Sequence, residues 1–300
     1  MERLLFLSGG ASFAPWLFAS IAFLANMQGR GFQTAVCCGT FCVMEWLPQS
    51  IDIIAAVIMI GASFFTSFLS ASMGLGGGIA LLAVMAQMVP PLAIVPVHGV
   101  VQLGSNAGRV FFMRQHINWR IVAYFVAGSL IGGFVGGQVV VALPAPTLQL
   151  FLGLFVLYSL WGPMPKLAEG SKGMGLVASG GALSTLLTMF VGATGPFVTV
   201  VVRQFKLPRM AHVGTFSSCM VAQHLIKIIV FGILGFSFAA YLPLIIAMVI
   251  TGFAGTYAGR HFLQKSTDER FQKMLNIILA LLAARLLWVA ASGLLSGGSA

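Results

Sequence analysis

A chain of 300 residues with 59% hydrophobic and only 7% charged side chains cannot coat a water-soluble globule, whose composition is roughly a quarter charged. Its mean hydropathy of +1.00 places lipid against most of its surface, and its apolar runs have the length needed to cross ~30 Å of hydrocarbon. The net charge of +10 does not mark a nucleic-acid binder, because Lys and Arg gather in short connections between apolar runs, the pattern of the positive-inside rule.

Residues 1–48 form an N-terminal extension left out of the functional reading. Arg3 precedes an apolar run from Leu4 to Met27 interrupted by Gly9, Gly10 and Pro15. A signal-like segment, an extra membrane helix and an upstream start codon, with Met44 as the true start, all fit this pattern. Cys37, Cys38 and Cys42 cluster there without a partner histidine motif and read as small packing residues; Cys219 stands apart.

The rest of the chain repeats itself. Gly74-Leu75-Gly76-Gly77-Gly78 has a counterpart in Gly192-Ala193-Thr194-Gly195-Pro196, and at the same offset of 118 Pro90 aligns with Pro208 and Arg109 with Lys227. With one further residue, Gly133 and Gly136 align with Gly252 and Gly255. The first unit, residues 49–165, reads as a helix over 52–72, a glycine break, a short helix to about 89, and helices over 92–113, 120–142 and 147–161. A linker, 166–172, leads to the second unit, 173–295. Its helices cover 173–190, then a short helix from the break to 204, then 209–232, 239–262 and 271–289.

Loop charges set the orientation of the units. Arg114, His116 and Arg120 follow the second long helix of the first unit, whereas the matching connection of the second unit, 232–239, is uncharged. Conversely the Pro90 turn and 143–146 are uncharged, and their counterparts carry Arg203, Lys206 and Arg209, then Arg260, Lys265, Arg270 and Lys273. Basic loops therefore alternate between units. The expected fold is an all-α membrane protein of two inverted-topology repeats, each a Gly-broken helical hairpin plus three transmembrane helices.

Glycines at 128, 132, 133, 136 and 137, and at 252, 255 and 259, read as close-packing positions. The breaks differ. Gly74, Gly76, Gly77 and Gly78 are too dense for a stable helix, and non-helical backbone at membrane depth persists only where protein or a watery cavity satisfies it. A helix restarting there presents free N–H groups and the positive end of its dipole, the ingredients of an anion site. Gly76, Gly77, Gly78, Thr194 and Gly195 are the backbone candidates. On the following helices His98, Gln102, Asn106 and Arg109 share one face with Ser105, and His224 and Lys227 stand in a polar band with Ser217 and Gln223.

None of the six acids, Glu2, Glu45, Asp52, Glu169, Asp268 and Glu269, lies deep in an apolar segment. Cation transport and carboxylate proton relays use intramembrane acids, so the expected solute is a small anion. Proton coupling, if present, falls to His98 or His224. His98, His116, His212, His224 and His261 show no metal-ligand spacing, so no metal, cofactor or catalytic residue is expected. A membrane-embedded enzyme lacks its constellation here, while a passive anion channel could use the same backbone sites.

Met73-Gly74-Leu75-Gly76-Gly77-Gly78 followed by Pro90, and Gly192-Ala193-Thr194-Gly195-Pro196 followed by Pro208 and Val213-Gly214-Thr215, resemble the two signatures of the sulfite exporter TauE/SafE family over about residues 50–290. The resemblance implies a multi-pass permease of the bacterial inner membrane for sulfite, sulfonates or related organic anions. The second unit departs from the glycine triplet at Ala193-Thr194, where Thr194 adds a hydroxyl.

Overall fold

The computed structural model describes residues 48, 51–73, 76–140, 144–162, 173–260 and 269–297. Among them it contains ten α-helices and no strand. The first five are α1 (Ile53–Met73), α2 (Gly77–Met85), α3 (Pro91–Met113), α4 (Trp119–Val140) and α5 (Ala145–Trp161). The second five are α6 (Met174–Val191), α7 (Gly195–Arg203), α8 (Arg209–Ile233), α9 (Leu242–Arg260) and α10 (Glu269–Gly297). The extension up to residue 47, Gly74, the 166–172 linker, His261 and Lys265 lie outside the described residues.

Local chemistry explains where the helices start. Asp52 caps α1 by accepting the N–H of Ala55 on Oδ1 at 2.8 Å, satisfying a donor that the first turn leaves free. Prolines stand in the first turn of α3, α5 and α7, where a missing N–H forfeits no bond. Helices α1, α4, α6 and α8, and the segment Ala239–Arg260 that contains α9, are long and apolar enough to cross a membrane. Large apolar side chains stand outward on the bundle, with Ile233 71% and Trp288 75% exposed, as lipid-facing surface requires.

Glycine contacts reveal how the helices pair. A Cβ on Gly128 or Gly132 of α4 would strike the carbonyl oxygen of Ala178 or Ala182 of α6, so these two helices run in the same direction with backbones touching. In α9, Gly255 and Gly259 meet the carbonyls of Phe64 and Phe68 of α1 in the same sense. Hydroxyls add bonds along the second seam: Ser63 donates to the Met248 carbonyl at 2.6 Å and Thr251 to the Ile60 carbonyl at 3.0 Å. Two further pairs, α3 with α8 and α5 with α10, run in opposite directions. Gly99 of α3 lies at Lys227 and Ile228 of α8 while Met113 lies at Gly214, and Gly153 of α5 meets Leu287 of α10 while Gly293 meets Pro146.

The offset of 118 holds for α1, α2 and the start of α3 against α6, α7 and the start of α8. It does not hold for the next helix. Gly132 and Gly255 occupy matching places, because they face Ala182 and Phe64, which are themselves 118 apart. Gly132 and Gly255 are 123 apart, so pairing Gly133 with Gly252 and Gly136 with Gly255 is out of register. The extra residues sit in a longer α8 and in the connection from Leu234 to Tyr241, which includes a 3₁₀ turn at Ala239–Tyr241. The last helix also extends to Gly297 rather than stopping near Val289, because Gly293 is a packing contact against Pro146 and not a helix terminator.

Basic side chains collect at one end of the bundle. The end of α3 lies on the start of α8, where Asn118 N–H donates to Thr215 Oγ1 at 2.9 Å, and Arg260 at the end of α9 stacks over Phe112 at 4.5 Å. Arg114, Arg120, Arg203, Lys206, Arg209 and Arg260 thus share a side. The Pro90 turn, Pro144 and the Leu234–Tyr241 connection lie at the other.

These seams make a sharp prediction. Gly132→Leu and Gly255→Leu each drive a side chain into backbone and are expected to destabilise the protein by more than about 2 kcal/mol, seen as a lowered Tm in detergent. Gly61→Ala, which meets nothing within 4 Å, is expected to leave Tm unchanged. A Tm of Gly132→Leu equal to that of Gly61→Ala would show that the α4–α6 contact is not close.

Candidate functional site: a cavity between two helix restarts

The two breaks are built differently. In the first, Gly76 adopts φ 94°, a left-handed conformation suited to glycine, and hands the chain to Gly77. A Cβ on Gly77 would collide with the Thr66 carbonyl oxygen and Ser70 Oγ, so α2 begins directly against the backbone of α1. In the second, the left-handed residue is Gly192, at φ 74°, closing α6. Thr194 and Gly195-Pro196 then open α7, and a Cβ on Gly195 would meet only the Phe216 ring at 3.7 Å.

Side chains do in the second break what backbone contact does in the first. Ser184 Oγ lies 2.9 Å from Thr194 Oγ1 and donates to Gln223 Oε1 at 2.9 Å, and Gln223 Nε2 donates to Thr194 Oγ1 at 2.6 Å. Lys227 is wholly buried and donates from Nζ to the Gly192 carbonyl at 2.9 Å. A cation at the C-terminal end of α6 complements the free carbonyls and the negative dipole there.

Both restarts line one cavity of about 40 Å³: Gly76 and Gly78 from the first break, Gly195 and Pro196 from the second. That is room for roughly three water-sized occupants. Ser70, His98, Gln102, Asn106, Arg109 and His224 supply its polar wall, and Ile79, Phe216 and Met220 its apolar one.

Arg109 is 4% exposed. Its Nη2 donates to Asn106 Oδ1 at 2.7 Å, Asn106 Nδ2 donates to the Gln102 carbonyl at 2.8 Å, and the guanidinium Nε has no partner. No ion pair to Arg109 occurs among the described residues. His98 Nε2 bonds the Gly78 carbonyl at 2.9 Å; a carbonyl only accepts, so that nitrogen carries the hydrogen. Nδ1 of His98 and Nδ1 of His224 both lack partners, and the two rings meet edge to face at 6.1 Å. Buried polar atoms are ordinarily hydrogen-bonded. Here three unpartnered nitrogens, one of them on the guanidinium, belong to residues that line one cavity.

Of the residues expected from sequence, Gly76, Gly78, Gly195, His98, Gln102, Asn106, Arg109 and His224 line this cavity. Gly77, Thr194 and Lys227 do not: Gly77 is packed on α1, Thr194 belongs to the hydroxyl–amide ring, and Lys227 faces Gly192. Ser70 and the apolar wall of Phe216 and Met220 were not expected. Ser70 was legible as the last member of the stripe Ser63, Thr66, Ser67, Ser70, whose spacing of three and four residues puts them on one face of α1. No group of His, Cys, Asp and Glu suited to a metal ion occurs among the described residues.

The family model described as Sulfite exporter TauE/SafE matches residues 59–286, and the chain belongs to that family of membrane permeases. No curated protein and no solved structure gives a match.

The unequal construction of the breaks predicts unequal tolerance. Gly77→Ala places a methyl against the Thr66 carbonyl and is expected to abolish transport and lower Tm. Gly195→Ala is expected to retain both within about twofold and 0.5 kcal/mol. Equal sensitivity of the two variants in a proteoliposome assay would contradict the proposed difference.

Proposed function

We propose that this TauE/SafE family member is a secondary permease that moves sulfite, a sulfonate or a related small sulfur oxyanion across the bacterial inner membrane. The observation that carries the proposal is Arg109: a guanidinium 4% exposed, without an ion pair among the described residues, on a cavity between two helix N-termini. A buried charge is tolerated when something compensates it, and here its one hydrogen-bond acceptor is the neutral amide of Asn106. An oxyanion with several acceptor oxygens suits a planar fork with N–H groups to spare.

The transport cycle we infer is alternating access about two inverted repeats, residues 49–165 and 173–295. In its support, α3 and α8 run antiparallel, as do α5 and α10, so helices of equal rank in the two halves point opposite ways. The collection of basic side chains at one end supports the same arrangement and a cytoplasmic location for that end. The small volume of the cavity, with His98, Asn106 and Arg109 all buried, supports a carrier over a channel, which needs a wide continuous path. In a carrier of this kind the helix restarts hold the anion while the halves rock around it.

His98 and His224 give the same cavity a means of proton coupling. With Nε2 of His98 committed to Gly78, the neutral ring offers only a lone pair at Nδ1, and an anion needs a donor. A proton entering with the anion converts that nitrogen from acceptor to donor. Export and import are both compatible with such a site; the family description points to export.

Arg109→Gln is expected to weaken sulfite binding by about tenfold or more and to abolish sulfite counterflow in proteoliposomes, with the protein still inserted. Counterflow unchanged in this variant overturns the site assignment, and its absence in active wild type overturns the carrier reading. For coupling, His98→Gln is expected to remove the response of uptake to an imposed pH gradient. Wild-type uptake indifferent to that gradient removes the proton from the proposal while leaving the anion site standing.

A further inference from the structure

A second pocket, of about 260 Å³, lies at the opposite end of the bundle from the basic side chains. It is walled by the 86–90 turn between α2 and α3, by Gln149 of α5, and by Arg285, Leu286 and Val289 of α10. None of its residues belongs to the central cavity. Arg285, whose side chain is exposed on the bundle, sits within the apolar stretch Ala280–Leu295, where a guanidinium facing hydrocarbon is costly and rarely idle. It also sits at the end of the bundle that the positive-inside distribution leaves poor in cations.

Its surroundings orient the charge without neutralising it. Arg285 Nη1 donates to Gln87 Oε1 at 2.6 Å. Gln87 in turn donates from Nε2 to the Leu282 carbonyl at 3.1 Å and reaches the Ala83 carbonyl at 3.4 Å. Gln87 is thus held by α2 and α10 together, with its oxygen fixed toward the guanidinium. One of five N–H groups on Arg285 is used in this bond. No ion pair to Arg285 occurs among the described residues, and Asp52, at the same end, accepts the amide of Ala55 in its own helix. The pocket therefore combines space, a positioned guanidinium with donors in reserve, and a second amide in Gln149.

We propose that Arg285, positioned by Gln87, and Gln149 form a second oxyanion site, separate from the central cavity, at the end of the permease remote from its basic loops. Its ligand is an anionic group carrying two or more oxygens. Two sources present that chemistry here: the solute itself, held at the mouth of the pathway, and the phosphate of an anionic lipid. The outward side chains of Leu281 and Trp288 on the same helix bring the lipid within reach.

The test uses the full chain, purified in detergent, with Arg109→Gln as background so that the central site is silent. Sulfite titration is one arm; retention of phosphatidylglycerol through purification, read by native mass spectrometry, is the other. Arg285→Gln is expected to weaken one of the two by about tenfold or more, and whichever arm responds identifies the source. Gln149→Leu provides a second variant that leaves the Arg285–Gln87 bond in place and is expected to weaken the same arm. Sulfite and lipid binding both unchanged in Arg285→Gln and in Gln149→Leu overturns the proposal. Because the background already lacks Arg109, such a failure says nothing against the central site.

Discussion

One constraint shapes this bundle: a helix that stops and restarts within a membrane protein leaves amides and carbonyls that lipid cannot satisfy. Each break must therefore be buried in protein and supplied with partners. Around the second break, Thr194, Ser184 and Gln223 close a ring of hydrogen bonds, and Lys227 takes the Gly192 carbonyl. Around the first, His98 takes the Gly78 carbonyl. Among the polar atoms left without a partner are Nε of Arg109 and Nδ1 of His98 and His224, whose residues line one small cavity together with the starts of two short helices. On the proposed reading, site and fold are the same solution: groups left over from satisfying the breaks are those offered to a solute.

The breaks can be held at the required distance because the helices carrying them are clamped. Gly128 and Gly132 let α4 lie on the backbone of α6, and Gly255 and Gly259 let α9 lie on α1. Each broken hairpin is thereby fastened to a crossing helix of the other half rather than of its own. Close backbone contact gains dispersion energy that lipid-exposed Leu or Ile cannot supply, since the tails offer the same contacts. Serine and threonine at Ser63 and Thr251 lock the register of one seam with bonds to carbonyls, so sliding along it would break hydrogen bonds as well as packing.

How much of this was legible follows from the range of the signals. Helix breaks are local events, and the Gly and Pro punctuation placed α1, α2, α6, α7 and the starts of α3 and α8 at one constant offset. The polar face from His98 to Arg109 was equally readable, being a matter of helical period. The α4 and α9 alignment failed because glycine is common in both, and the true register is decided by what each glycine touches in the other half. Lys227 is held away from the cavity wall by a contact of the same long-range kind. Its position aligns with Arg109, but the carbonyl it serves, Gly192, is 35 residues away, and nothing in the periodicity of α8 points to it. The pocket at Arg285 lay beyond sequence reading because its parts come from three segments that no repeat or motif connects.

Arg109 and Lys227 show how a duplicated frame acquires a one-sided site. The two cations stand 118 residues apart at matching positions, yet one lines the cavity and the other is consumed in closing a helix. The chemistry of the side chains separates the tasks. A guanidinium bonds Asn106 and still has N–H groups to offer, whereas a single ammonium placed on a carbonyl becomes part of the wall. The neighbours diverged in step: Thr194 and Gln223 build a polar brace where the first half has Gly76 and Ser105. In the second half the break is held by four side chains, and in the first by glycine against backbone and one histidine that also lines the cavity. On the proposed reading, an occupant that engages Arg109 and His98 therefore acts on the less braced of the two hairpins, which couples the arrival of the anion to the half most able to move.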